Sequence, residues 1–358
     1  MNFRTDFADE RLEIYKSYFD DKNKESNNKI RNKKENKESK NKESNKKEKN
    51  DRVRDKKKDD NKENNIVEHE KHNNNFYNGI KVSNEKVSDN IEVNIVDVTN
   101  NDGEKILNKK IGTYTTIDIK DLEIITKEEF DEAKNVFAKQ IGSFIKDAKS
   151  LLVIGLGNSE TTADSIGPKV VNNLKITRHI LKYEPNLMPE NTISVSALAP
   201  GVLGTTGIET EEIVKSVVKI VNPDKVIVID AMATSNVDRL LKNIQISDTG
   251  IEPGAGVNNK RKEISNETIG VPVIAIGVPT VVDSDVIVAQ SFEKLAEKYK
   301  EFSFLKDSSF EEKYKLVKLC NDNDLIVMPK DIDSLVDNLK EIISYGINNY
   351  NIIVWGFK

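Results

Sequence analysis

Apolar residues recur along this chain at two periods, and one stretch has neither. Ile91–Val98 alternates apolar with polar side chains, the pattern of a half-buried strand. Gly112–Ile119, rich in Thr, Tyr and Ile, predicts another strand, and Asn101-Asp102-Gly103 between them is a turn signal. Residues 127–148 change to the helical period through Phe130, Ala133, Val136, Phe137, Ile141, Phe144 and Ile145. Strands and helices alternate from there. Leu151–Gly155 is a continuous apolar run, as expected of a strand buried on both faces, and helical pattern resumes after Asp164. Glu209–Val221 predicts a helix, Lys225–Asp230 a second buried strand and Val271–Ile276 a third. Helices follow at Thr280–Tyr299 and Ile332–Ile343, and a short one is expected over 7–20. This alternation predicts an α/β fold. Its sheet is mainly parallel and flanked by helices, with right-handed crossovers and an additional β-rich N-terminal segment.

The stretch without a period is 21–75, where Ile30, Val53, Ile66 and Val67 are the only apolar residues. Asn-Lys-Glu-Ser recurs at 23–26, 36–39 and 41–44, too short and irregular a repeat to stack as a solenoid. So little apolar surface cannot offset the entropy of ordering, which makes 21–75 an expected disordered, low-complexity insertion. The insertion divides the chain into an N-terminal helical segment (7–20) and an α/β domain (76–358). It also changes the meaning of the net charge of −5: the tract carries +6 and the other 303 residues −11. The basic run Arg52–Lys58 invites a nucleic-acid reading. Its charges are mixed in sign and no aromatic interleaves with the lysines, so a solvated linker with no direct nucleic-acid partner is the expectation.

Composition removes further classes. Cys320 is the one cysteine, which excludes a disulfide scaffold and a cysteine zinc site. Of the three histidines, His69 and His72 lie in the tract, so a Ser-His-Asp triad would depend on His179. No run reaches the length of a membrane span and the N-terminus lacks the apolar core of a signal peptide. A soluble protein of a reducing compartment is expected, with no membrane partner.

Candidate chemistry centres on Asp164 and Asp230, both placed just after predicted parallel strands, at the sheet edge where α/β sites assemble. Two carboxylates held close share a proton and can activate water. From the pattern alone, Asp164 as a helix cap and Asp230 as a turn cap account for them as well or better. Gly155-Leu156-Gly157-Asn158 starts like a dinucleotide loop, but Glu160 stands where the third glycine belongs and would repel a pyrophosphate. Asp248-Thr249-Gly250 matches the triplet of pepsin-like proteases. It occurs once, inside an α/β pattern, and reads as turn chemistry in a loop that could border a site. The basic loop Asn258–Lys262 reads as solvated, His179 as a structural histidine and Cys320 as a small packing residue.

Six ordered blocks carry a resemblance. They are GLGNSETTADSIGP (155–168), ITRHI (176–180), APGVLGTTGIET (199–210), PDKVIVIDAMA (223–233), IQISDTGIEPGAGVNNKRKEIS (244–265) and GVPVIAIGVPTVVD (270–283). With Arg4–Ala8 and Gly79–Val82, they resemble the germination protease family of endospore-forming bacteria. The resemblance implies an aspartic endopeptidase whose α/β fold is similar to hydrogenase maturation proteases. Asp164 and Asp230 match its catalytic pair, which reverses the capping preference, and no cofactor or metal is implied. It implies small acid-soluble spore proteins as substrates, cleaved during germination, a homotetramer, and a cytoplasmic location in the developing forespore and spore core. It also implies a self-processing zymogen. Asp6-Phe7-Ala8-Asp9-Glu10 fits the family's cleavage pattern, which makes 1–6 a propeptide cut between Asp6 and Phe7. Ser159, where some members have Trp, and Thr234-Ser235-Asn236, in place of an Ala-Arg-Ser-like stretch, depart from the family pattern. Two other readings stand beside this one: a non-catalytic α/β module binding nucleic acid or spore proteins, and a metal-assisted maturation peptidase.

Overall fold

The computed structural model describes residues 7–13, 16, 78–254, 261–321 and 325–350. The expected propeptide 1–6 and insertion 21–75 therefore lie outside the described residues. Nine strands form one sheet in the order β1-β2-β3-β7-β8-β6-β4-β5, with β9 paired to β8. The parallel part comprises β4 (Ser150–Gly155), β5 (Ser194–Leu198), β6 (Lys225–Thr234) and β8 (Val273–Asp283). The β-rich N-terminal segment is the antiparallel meander β1 (Ile80–Lys86), β2 (Ile91–Val98) and β3 (Gly112–Ile119). β7 (Asn243–Ser247) joins the two parts, antiparallel to both β3 and β8. β9 (Ile326–Val327) pairs antiparallel with the end of β8.

Strand periodicity explains the layers. In β4, Leu151 and Val153 face one core while Leu152 and Ile154 face the other, and β6 divides the same way through Ile227/Ile229 and Val226/Val228. α3 (Lys127–Phe144), α4 (Ile166–Asn172) and α11 (Ile332–Asn348) cover the first face. α7 (Thr210–Val221) and α8 (Asn266–Ile269) cover the second. α9 (Ser284–Lys298) and α10 (Phe310–Cys320) pack together over a smaller cluster of Val282, Val286 and Val317. Two short helices, α5 (Arg178–Tyr183) and α6 (Leu203–Thr206), lie between strands. A capping box starts α3: Thr126 Oγ1 accepts from Glu129 N and Glu129 Oε2 accepts from Thr126 N. No helix among the described residues is long and apolar enough to cross a membrane.

Several boundaries differ from the sequence pattern: α3 stops at Phe144 rather than at residue 148, β8 starts at Val273 rather than Val271, and α11 runs past Ile343 to Asn348. Asn101-Asp102-Gly103 is not a free turn but the first turn of α2 (Asn101–Leu107). The same chemistry serves as a cap, since Asn100 Oδ1 accepts from Asp102 N at 2.9 Å and Gly103 N at 3.0 Å. β8 runs on through Asp283, so the helix expected from Thr280 begins at Ser284. The β-branched Val278, Val281 and Val282 favour strand there, and Pro279 is accommodated at a bulge. β6 likewise continues past Asp230 to Thr234.

The N-terminal residues 8–13 form α1, which rests on the meander through Ala8 and Leu12 against Ile80, Val96, Val98 and Tyr114.

Candidate active site

The loop after β4 places Asp164. Leu156 N donates to Ile229 O at 2.8 Å, which fixes the end of β4 against β6. Gly157 then adopts φ +108°, and a Cβ there would collide with the Asp164 backbone. Asn158 N donates to both Asp164 O at 3.0 Å and Asp164 Oδ2 at 2.9 Å, closing the loop on itself. Asp164 ends a 3-10 turn, Thr162–Asp164, and Ser165 is the N-cap of α4. The helix-capping reading of Asp164 is thereby excluded. Burial pushes the Asp164 carboxyl above the usual aspartate range, and the hydrogen bond from Asn158 N only partly opposes it.

Asp230 does not cap a turn either. It lies within β6, paired to Gly277 of β8, is 6% exposed, and its Oδ1 accepts from Ala231 N at 3.0 Å. β4 and β6 are neighbours in parallel register, so the two aspartates emerge at the same strand-end edge of the sheet. Both line one cleft of about 880 Å³. The loop with the Asp-Thr-Gly triplet borders this cleft, as the turn reading allowed. Asp248 Oδ1 accepts from Thr113 N at 2.9 Å, Gly250 takes φ +81°, and Thr249 and Gly250 line the wall.

The remaining candidates fall elsewhere. His179 is exposed on α5 and does not line the cleft, which leaves a triad without its histidine. Cys320 is exposed, so it is not a packing residue: the last turn of α10 turns it away from the core. Of the basic loop, residues 258–260 lie outside the described residues, Arg261 lines the cleft, and Lys262 pairs with Glu212 at 2.7 Å.

Of the proposed cut, Asp6 lies outside the described residues, but Phe7 is in view. Phe7 and Ala8 are fully buried, and the segment continues along the cleft, where Arg11 lines the wall. Glu10 is 2% exposed, and its carboxylate accepts from Thr234 Oγ1, Ser235 N (2.9 Å) and Ser235 Oγ (2.7 Å) where β6 ends beyond Asp230. Arg239 pairs with Asp9 at 2.5 Å and Glu13 at 3.3 Å. Sequence reading marked Thr234 and Ser235 as departures from a family pattern and missed their role as receptors for the N-terminal segment. Their partner is 224 to 225 positions away, beyond any local signal.

Comparison with known proteins bears on these residues. The sequence model described as germination protease matches residues 52–303, a range that opens inside the low-complexity tract and omits residues 4–8. A germination protease of Clostridium acetobutylicum is 42% identical over 287 residues, spanning 76% of this chain and 88% of its own. One from Priestia megaterium is 38% identical over 311 residues, spanning 74% and 84%. Among solved structures, the [NiFe] hydrogenase maturation protease HycI of Thermococcus kodakarensis aligns with a TM-score of 0.28 at 12% identity. It covers 57% of this chain and 98% of its own, a likeness too slight to bear on the fold, which rests on the sheet itself.

Proposed function

This chain belongs to the germination protease family, which makes it a spore germination protease; from that premise we propose that Asp164 and Asp230 form an aspartic-type catalytic pair. The observation that carries the reading is their shared cleft: one carboxyl group from the loop after β4 and one from within the neighbouring parallel strand β6, neither spent on capping. Such a pair titrates as one unit with one proton between the two groups. In this proposal Asp164, whose carboxyl burial raises above the usual aspartate range, is assigned that proton. The ionised partner, Asp230, takes a proton from a water molecule, whose oxygen adds to the peptide carbonyl carbon. Negative charge passes to the carbonyl oxygen. When the intermediate collapses, the proton held by Asp164 goes to the departing amine nitrogen.

The substrates in this reading are small acid-soluble spore proteins, cut in the cytoplasm of the forespore and spore core, and the enzyme acts as a homotetramer. The chain is made as a zymogen that removes residues 1–6 itself. Support for a new start at Phe7 is that Phe7, Ala8 and Glu10 are all anchored in the body of the protein. N-terminal sequencing of the matured protein should read Phe-Ala-Asp-Glu, and any other start removes this assignment. Asp164→Asn and Asp230→Asn should each lower cleavage of a small acid-soluble spore protein by about 10²–10⁴-fold, the usual worth of an acid or base group. The fold should be unchanged by circular dichroism. Full activity in either variant takes that residue out of the mechanism.

A further inference from the structure

The sheet register brings a further side chain toward the aspartate pair. Gly277 on β8 is paired with Asp230 on β6 and, on its other side, with Gln245 on β7. Residues in register on neighbouring strands project from the same face, so Asp230 and Gln245 flank a glycine on one surface. Two strand spacings separate their backbones, about 10 Å. With both side chains reaching inward, that span fits a peptide carbonyl and an attacking water. Gln245 lines the cleft and is 4% exposed, yet its Nε2 has no hydrogen-bond partner among the described residues.

A second donor nearby has the same character. Met232 pairs with Pro279 and Ala233 with Val281, which leaves Thr280 as the extra residue of a bulge. Bulges beside active sites re-aim a side chain. Thr280 is fully buried, lines the same cleft, and its Oγ1 also has no partner among the described residues. An unsatisfied buried polar group costs about 1–3 kcal/mol. Two such groups in one cleft wall, next to Asp230, have the chemistry of a site that waits for acceptors.

We infer that Gln245 Nε2 donates to the peptide carbonyl oxygen as water adds to it, stabilising the oxyanion, and that Thr280 Oγ1 donates to a neighbouring carbonyl of the bound chain. This rests on the water-activating role proposed for Asp164 and Asp230. The Met232 thioether fills the space above Gly277 between the aspartate and the glutamine. Methionine repacks readily, so its side chain swings aside when a substrate enters.

The test is steady-state cleavage of a small acid-soluble spore protein by the full chain, with thermal melting of each variant. Gln245→Met keeps the length and removes the donor. It should lower kcat by about 10²–10³-fold, the effect of deleting one oxyanion donor, with KM little changed. Its melting temperature should hold or rise, since an unsatisfied amide is lost. In Gln245→Glu, the ratio of its kcat to that of the wild type should climb as pH falls, because a protonated carboxyl regains an O–H donor. Thr280→Val should raise KM with little change in kcat, and Thr280→Ser should restore it. A wild-type kcat in Gln245→Met overturns the inference, and so does a kcat loss matched by a lowered melting temperature. If Gln245→Met is unaffected while Asp230→Asn is dead, only the oxyanion role fails; if Asp230→Asn is fully active, the aspartate pair itself fails.

Discussion

Asp118 shows how a single half-buried carboxyl ties folding to pH. Asn94 and Asn243 donate to it, and Arg239 and Asp9 lie close by. Burial outweighs the attraction of Arg239 and the hydrogen bond from Asn94, and pushes its pKa from 3.8 up to about 6. An acid raised on folding prefers to be protonated in the native state. Its contribution is therefore full below about pH 4 and is lost as pH rises through about 6. Asp118→Asn removes this titration. Denaturant melts from pH 4 to 8 should show the variant gaining stability relative to wild type up to about pH 6, then holding level. A constant difference across that range would mean that Asp118 ionises freely. At this scale the sequence was informative only where position along a strand was enough. Asp164 and Asp230 could be singled out because both follow apolar runs. Gln245 and Thr280 could not, because a cross-strand row and a bulge exist only once the register is set.

Among the elements, α3 and α11 meet closely because Gly346 presents no side chain to Phe137. A Cβ at Gly346 would strike the Phe137 ring and crowd the Ala138 backbone. Gly346→Ala should lose about 1–3 kcal/mol by overpacking, even though alanine is the better helix former. A chemical-denaturation midpoint no lower than wild type would show that the two helices can move apart at little cost. Strand and helix identities were legible from periodicity: β2 and β3 match their predicted spans at both ends. The ends of β6 and β8 were not. Their extra residues are held by pairing with each other across the Thr280 bulge, an interaction that no single segment displays. The turn signal at Asn101–Gly103 marked a helix start rather than a loop, and the side chain that caps it, Asn100, lies one residue before the signal.

At the scale of the whole molecule, the parallel α/β half was readable as such, and the way the meander joins it was not. β7 alone links β3 to β8, and its five residues, all buried, carry no sign of which neighbours they will take. The charge division also has a structural counterpart. The acidic body gathers Asp9, Glu13 and Asp118 around Arg239, where a second cavity of about 490 Å³ opens at the foot of α1. α1 touches both halves of the sheet: Ala8 and Leu12 against the meander, Glu10 against the end of β6. It is thus a brace across the junction, although 64 residues separate Asn78 from Glu13 without a described element between them other than Lys16. That arrangement makes the protein, in effect, a natural split pair. A nick placed anywhere between α1 and β1 should yield two polypeptides that travel together through gel filtration and part only in denaturant. Loss of the short fragment under native conditions would show that buried contacts alone cannot hold it.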